Sequence, residues 1–368
     1  MQRRHFFLAP AALASGAWVG AASAQTALSC PPVTPPVVTP LAGINVLAEI
    51  KALRINSGPV AGGFEIAPNG RLNWYFANLG LLSIVRLLSV AELETLILPY
   101  LKLYLSRLLP NQSIDDVNLP YGRANPSVIT TVASDSDDAY AATFLSLATR
   151  YVRASGNWTW WEANKALIKQ VAYRNLALTA KPSGLTSVFQ SPRSQSNSIG
   201  YLMDNCEGYR GLRDLAALLR SRSELVDANY YDNLASNAAQ GIVQQTFKSA
   251  AKAFTASDAS PLPQSVFYPG TSCQIYAQAF GLVELAPLFD YGWAYLNQQS
   301  PGWETGRYDP YPWAILGQVA ALRGQTTQAR TQLAHIEQLF STNRALVTIN
   351  ELGFYQRARS LLAGQPEV

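Results

Sequence analysis

After residue 42, apolar residues recur at helical spacing almost without a break, and the strict alternation of half-buried strands is scarce. Two kinds of segment take turns. The first kind opens on a polar or acidic residue, brings an aromatic and small residues, and continues as a leucine-rich helix. Its examples are NWYFANLGLLSIVRL from Asn73, DSDDAYAATFLSLATRY from Asp135, DNCEGYRGLRDLAALL from Asp204, CQIYAQAFGLVELAPLF from Cys273 and DPYPWAILGQVAALRG from Asp309. The second kind carries a more polar face: ELETLILPYLKLYLSRLL from Glu92 to Leu109, WTWWEANKALIKQVAYRNLALTA from Trp158 to Ala180, and the stretch from Tyr230 to Phe254. A helix that is apolar all round is buried on every side, and an amphipathic partner covers it from outside. Aligned on Tyr75, Tyr140, Tyr209, Tyr276 and Trp313, the first kind recurs at steps of 65, 69, 67 and 37 residues. The first three steps are regular enough to mark an internal repeat.

Five such pairs, with end helices near Ile44 to Leu53 and Val347 to Leu362, predict about twelve helices. An all-α chain of that count suits a closed (α/α)6 barrel, with an inner and an outer ring. An open solenoid could use the same pairs, but its repeats are usually roughly 20–45 residues long. The longer connections here would gather at one rim, where a site can be built. Residues 43–368 are therefore expected to form a single barrel domain.

Ahead of it lies a different kind of sequence. MQRRHFFLAPAALASGAWVGAASAQ has a basic start, an apolar stretch and small residues ending in Ala22-Ser23-Ala24, the pattern of a cleavable leader over residues 1–24. Arg3-Arg4 followed by His5-Phe6-Phe7 resembles the twin-arginine signal of bacterial Tat export; a general secretory leader with two arginines is the plainer alternative. Ala27-Leu28-Ser29-Cys30 also reads as a lipoprotein box that would anchor the chain through Cys30. CPPVTPPVVTP completes a proline-rich tether over residues 25–42. No later apolar run reaches the length of a membrane span. The expected location is the periplasm or the outside of the cell, as a monomer.

Composition narrows the chemistry. Of 368 residues 48% are hydrophobic and 14% charged, which argues against disorder over most of the chain. Net charge is +4, and loss of Arg3 and Arg4 would leave only two more basic residues than acidic, so nucleic acid is not an expected partner. The two histidines are His5 and His335. With His5 in the leader, a His-rich metal site is excluded and any His-based triad would rest on His335 alone. No Walker loop and no dinucleotide fingerprint occurs, and the sequence calls for no cofactor and no metal. Three cysteines make no disulfide scaffold. Cys206 and Cys273 either pair or remain two buried thiols.

Proton chemistry then falls to carboxylates, Tyr or Lys. Acids open the inner helices: Asp135, Asp137 and Asp138; Asp204 and Glu207; Asp309, with Glu304 upstream. Each alone has an ordinary explanation as a cap on free N–H groups at the positive end of a helix. Their recurrence beside Trp74, Tyr75, Tyr140, Tyr201, Trp303, Tyr308, Tyr311 and Trp313 is less ordinary. Acids at one mouth, rimmed by flat rings, are what sugar hydrolysis requires: one protonates the leaving oxygen, another activates water or attacks. Asp204 or Glu207 is the expected general acid, and Asp137, with Asp135 or Asp138, the base or sugar-holding carboxylate. Trp74, Tyr140, Trp303 and Trp313 are candidate stacking platforms. Tyr75, Tyr201 and Asp309 join them as candidate substrate contacts, and Arg210 could bond substrate hydroxyls or restrain Glu207.

NWYFANLG, DSDDAYAATFLSLA and YLMDNCEGYRGL resemble segments of the six-hairpin glycosidase superfamily, and the Asp-x-Asp opening resembles family 8 glycoside hydrolases. The likeness spans about residues 60 to 325. It implies an (α/α)6 toroid and a hydrolase of poly- or oligosaccharides, in which Asp135 and Asp137 help hold the sugar at the cleavage point. The Ser-Glu-Gly motif that carries the family 8 acid is absent; Asn73-Trp74-Tyr75 stands at the first repeat, and the nearest acid is Glu65. Four rivals remain open. A glycan-binding barrel without catalysis is one. A polysaccharide lyase, a terpene cyclase using Asp135-Ser136-Asp137-Asp138, and a calcium loop in the same four residues are the others.

Overall fold

The computed structural model describes residues 43–191 and 198–366; the leader, the tether and Cys30 lie outside the described residues. Ile44 onward forms one unit. Its helices are α1 (Val46–Ala52), α2 (Trp74–Leu82), α3 (Val90–Glu92), α4 (Leu98–Ser106), α5 (Asp138–Ser155), α6 (Trp158–Ala172), α7 (Leu202–Ser221), α8 (Leu225–Gly241), α9 (Tyr276–Ala279), α10 (Phe289–Gln299), α11 (Ala314–Leu322), α12 (Thr326–Thr342) and α13 (Ile349–Leu362).

Six of them close a ring: α2 packs on α5, α5 on α7, α7 on α9, α9 on α11, α11 on α13, and α13 back on α2. The outer layer pairs with them in turn, α6 on α5, α8 on α7, α12 on α11 and α1 on α13. The fold is therefore the all-α toroid that the alternation of apolar and amphipathic segments predicts. All nine residues of α2 are buried, as a helix without a polar face must be. The ring is tight where glycine allows it. A Cβ on Gly80 would lie 2.7 Å from the Ile349 carbonyl oxygen of α13, and one on Gly211 would run into the Ala142 carbonyl of α5.

First and last helices close the ring. The Ile44 N–H donates to Tyr355 Oη at 3.2 Å, Arg359 donates to the Ile44 carbonyl at 3.2 Å, and Arg344 pairs with Glu49 at 3.2 Å. These contacts replace the hairpin turn that joins every other pair.

Several elements differ from the sequence expectation. The helix expected from Cys273 is broken: a 3-10 turn, Ser272–Ile275, leads into the four-residue α9, and Gly281 at φ 69° ends it. A 3-10 stretch with Pro287 inside follows, since proline cannot donate to a helical ladder. The outer helix expected over 230–254 starts earlier, at Leu225, and beyond Gly241 widens into a π segment that ends at Thr246. Beyond it Phe247–Lys248 and Ala253–Phe254 form a small hairpin. The outer helix from Glu92 widens into a π segment, Leu93–Ile97, just before Pro99. A second hairpin pairs β1 (Asp116–Asn118) with β2 (Thr130–Val132) between the first two inner helices.

Candidate active site

The openings of the inner helices meet at one rim. Asn73 caps α2, its Oδ1 accepting from Phe76 N at 2.8 Å. Its Nδ2 reaches Asp116 Oδ2 at 2.6 Å and Tyr140 Oη at 2.7 Å, which ties the starts of α2 and α5 to β1. Asp116 also accepts from Trp74 N at 3.3 Å and from the Tyr140 hydroxyl at 3.1 Å, and Arg71 lies 3.6 Å away. The Asp116 side chain is 1% exposed. Burial raises its pKa to about 7; Arg71 and the hydrogen bonds from Asn73 and Trp74 pull the other way, and Asp135 adds to the rise.

Tyr75 carries the network inward. Its ring stacks on Tyr140 at 5.8 Å, and its hydroxyl donates to Glu207 Oε1 at 2.5 Å. Glu207 stands one helical turn beyond Asp204 on α7, and both are buried. With Thr143, Ser146, Arg210 and Arg357, Glu207 lines a cavity of about 60 Å³ inside the barrel. This arrangement places one carboxyl in the barrel wall, held by a phenol that also touches the rim.

The Asp135–Asp138 group divides. Asp137 N donates to the Val188 carbonyl at 2.8 Å, and its carboxylate accepts from Gln190 N at 2.9 Å, so it joins α5 to the 186–190 segment. Asp138 is fully buried and accepts from Ala139 N at 2.8 Å and Thr186 Oγ1 at 3.0 Å. Thr186 in turn reaches Asn205 on α7 at 3.2 Å, which makes Asp138 a brace between two inner helices. Asp135 is half-buried at the rim.

Asp309 accepts from Tyr311 N at 2.8 Å and from Trp313 Nε1 at 3.1 Å. It therefore shapes the turn that presents Trp313, whose backbone is left-handed at φ 52°. Trp313 lies against Tyr268 at 4.8 Å, and Phe267 stacks on the exposed Tyr308 at 5.4 Å. Phe267, Tyr268 and Tyr308 make an aromatic shelf, and Trp313, expected as a stacking platform, is buried in the core beneath it. Phe267 and Tyr268 come from a loop whose sequence carries no helical or strand pattern.

The structure does not bring every expected residue to the mouth. Trp74 is packed between Tyr100 and Tyr104 and donates to the Asp115 carbonyl at 2.8 Å, a core position. Trp303 packs against Trp293 and donates to Asn297 at 3.3 Å, also in the core. Tyr140 is buried within the Asp116 network. Tyr201 opens α7, half-buried, its backbone bridged to Ser257. Arg210 makes a two-pronged pair with Asp214, at 2.7 and 3.2 Å, and lines the same cavity as Glu207.

Three acids in the rim region were not singled out as site residues. Asp116 opens the three-residue strand β1, too short for any periodicity to flag it. Glu351 opens α13 and accepts from Ala314 N and from Asn350 Nδ2 at 2.9 Å, so it ties α13 to α11; its signal was the one already used elsewhere, an acid at an inner-helix start. Glu65 is buried against Arg123 at 2.9 Å, and burial raises its pKa. Cys206 and Cys273 are free and buried, and burial pushes both thiols up, Cys273 to about 12. Among the described residues no group of His, Cys, Asp and Glu is placed to hold a metal ion, and no helix is long and apolar enough to cross a membrane.

No protein-family model matches the chain, and no curated protein matches it in sequence. Solved structures do resemble it. A rhamnosidase from Klebsiella oxytoca with rhamnose bound superposes with a TM-score of 0.54 at 12% identity, over 80% of this chain and 53% of that one. A GH78 family rhamnosidase of Bacillus sp. GL1 superposes with a TM-score of 0.50 at 12% identity, over 81% of this chain and 36% of that one. The chain thus spans about half the length of the first and about a third of the second. At such identity the likeness is one of fold, a helical barrel also used by glycoside hydrolases.

Proposed function

We propose that this chain is a glycoside hydrolase whose general acid is Glu207. The observation that carries the reading is the placement of that carboxyl. It lies buried on the wall of a cavity inside the barrel, with the Tyr75 hydroxyl bound at 2.5 Å. In this reading Glu207 protonates the leaving glycosidic oxygen, and Tyr75 fixes the carboxyl while it does so. Asp137 or Asp204, at the same rim, is the second carboxylate and activates water or attacks the sugar. Asp135 contacts sugar hydroxyls beside them, Asp138 holds the rim in shape, and Tyr268 offers a face on which a sugar ring stacks. The two rhamnosidases of like fold make rhamnose-bearing glycans the first substrates to try. The same reading has the chain exported through its twin-arginine leader and acting as a monomer.

The test is turnover of a panel of rhamnosides and neutral oligosaccharides by the full chain and by Glu207→Gln, Asp137→Asn and Asp204→Asn, each checked for native circular dichroism. Loss of a general acid should lower kcat about 10²- to 10⁴-fold in Glu207→Gln. Unchanged turnover in all three variants ends the assignment. Sugar binding by calorimetry with no product from the parent chain would replace the hydrolase with a glycan-binding barrel.

A further inference from the structure

Outside the inner ring lies a cavity of about 240 Å³ that sugar cleavage at Glu207 does not use. It opens between the turn that follows α6, the outer face of α7, and α8. Glu207 and Gly208 are consecutive on α7, so Glu207 lines the inner cavity while Gly208 lines this one. Thr186 and Asn205, both buried, also line it. The Thr186 N–H donates to Asn205 Oδ1 at 2.7 Å, and Asn205 Nδ2 donates to the Thr186 carbonyl at 3.3 Å. Thr186 is the residue that reaches Asp138 on α5.

The walls are held before any ligand arrives. Gly184, at φ 90°, lies so close to α8 that a Cβ there would strike the Asn237 carbonyl. A Cβ on Gly241 would meet the Ser183 carbonyl oxygen at 2.5 Å. The 181–185 turn is thus clamped on α8 at two points. Gly208 differs, because a Cβ there would meet only Leu176, at 3.7 Å, an ordinary contact. Glycine inside a helix costs stability, and no close backbone approach requires it at this position. Its missing side chain gives the cavity depth.

The lining is neutral and rich in hydrogen-bonding groups. Among the described residues Lys181 is the one charged side chain in the wall; it pairs with Asp258 and donates to the Ser198 carbonyl at 2.7 Å. Asn237 and Gln240 on α8, with Gln244 in the π segment beyond it, line the cavity and are exposed. The Ser183 hydroxyl oxygen is buried and has no hydrogen-bond partner among the described residues. A buried hydroxyl left so is costly, and a polar ligand would satisfy it. A carboxamide offers a donor and an acceptor side by side, and a hydroxyl is both at once. A ligand with several hydroxyls matches such a wall, whereas an ion finds no free counter-charge in it. Leu212 and Leu234 add apolar surface for the C–H face of a ring. Pockets for drug-sized ligands run to about 300–1,000 Å³, so this one takes a single small ring.

We propose that this cavity binds one neutral sugar unit, either a free monosaccharide or one residue of an oligosaccharide chain. The sugar hydroxyls bond the carboxamides of Asn237, Gln240 and Gln244 and the Ser183 hydroxyl, and the C–H face rests on Leu212 and Leu234. The site stands whether or not Glu207 is a general acid.

The test is isothermal titration of the purified full chain, at millimolar concentration, with L-rhamnose, D-galactose, D-glucose, maltotetraose and, as a hydrogen-bonding probe that is no sugar, propionamide. Asn237→Ala/Gln240→Ala removes two exposed side chains from the wall; alanine favours the helix, and a thermal melt confirms the fold. Affinity at this site should fall about tenfold or more in the double variant, the effect of losing two neutral hydrogen bonds. Gly208→Ala should weaken binding while raising the melting temperature, a combination that general destabilisation does not produce. Binding of a monosaccharide identifies a free sugar as sufficient. Binding of maltotetraose alone identifies a chain residue, and either result upholds the site. A sugar site that survives in the double variant beside the lost one belongs to the barrel mouth; its absence counts against the hydrolase and not against this cavity. An isotherm unchanged in the double variant, no heat with any sugar, or tighter binding of propionamide than of every sugar overturns the proposal.

Discussion

Replacing Asp116 with asparagine removes a carboxyl that the fold holds out of water. Its pKa rises from 3.8 to about 7, chiefly through burial. The folded chain therefore keeps a proton that the unfolded chain gives up at lower pH. Between about pH 4 and pH 7 the folded state binds more protons, so stability falls as pH rises, by about 1.4 kcal/mol per pH unit. A rise of about three units gives a total penalty of ~4 kcal/mol once the group is ionised. The substitution has its own cost. Asparagine offers one oxygen where Asn73, Trp74 and Tyr140 meet two, and a lost hydrogen bond costs about 1 kcal/mol. About 1 kcal/mol of that penalty already acts at pH 4.5, so the parent chain should lead there by no more than about 1 kcal/mol, and Asp116→Asn should be the more stable at pH 8 by about 2–3 kcal/mol. Urea denaturation of both chains at half-unit steps gives the difference directly, and titration elsewhere cancels. Two parallel curves, with no crossing between pH 4.5 and 8, would show that Asp116 is ionised throughout and that its donors outweigh its burial.

Other outcomes follow from the same contacts. Tyr75→Phe deletes the hydroxyl on Glu207 and should lower kcat about tenfold with KM nearly unchanged, the effect of losing one hydrogen bond to a charged group; an unaltered kcat removes Tyr75 from the mechanism. Gly211→Ala pushes a methyl into the Ala142 carbonyl where α7 crosses α5, and should cost about 1–3 kcal/mol by denaturation, whereas a neutral result would mean the helices can part freely. Tyr268→Ala removes the ring that lies over the buried Trp313 and should raise KM more than it lowers kcat, with a split in the opposite sense placing the phenol outside the binding path. In a Cys30→Ser background, Cys206 and Cys273 should resist a thiol reagent until the chain unfolds; rapid labelling of the native chain would contradict their burial.

The ring was legible because its signal is redundant. A helix like α2, apolar on every face, has no other place in a folded chain than the middle of one, and its recurrence specifies neighbours of the same kind. The fourth inner helix was less so, since Gly281 and Pro287 act within a segment whose hydrophobic pattern runs on unbroken. Apolar periodicity reports burial, not the backbone path through it. Acids at helix starts were visible, yet the pattern could not separate Glu207 on a cavity wall from Asp309, which holds a turn, or Asp138, which braces two helices. Those differences depend on what lies opposite each carboxyl, and partners such as Tyr75 are more than a hundred residues away. Asp116 illustrates the remaining gap. Its unusual protonation arises from the surroundings that Asn73 and Tyr140 make for it, and nothing in Asp115-Asp116-Val117 announces them.

The clasp between the first and last helices carries an engineering consequence. With Ile44 hydrogen-bonded to both Tyr355 and Arg359, the place where this circle starts is arbitrary. A short peptide joining the region of residue 363 to that of residue 43 would let the gene be opened at an outer loop instead, such as the one at Gly324. The permuted chain would keep its interior, and the old ends would become one more hairpin in a wheel of six.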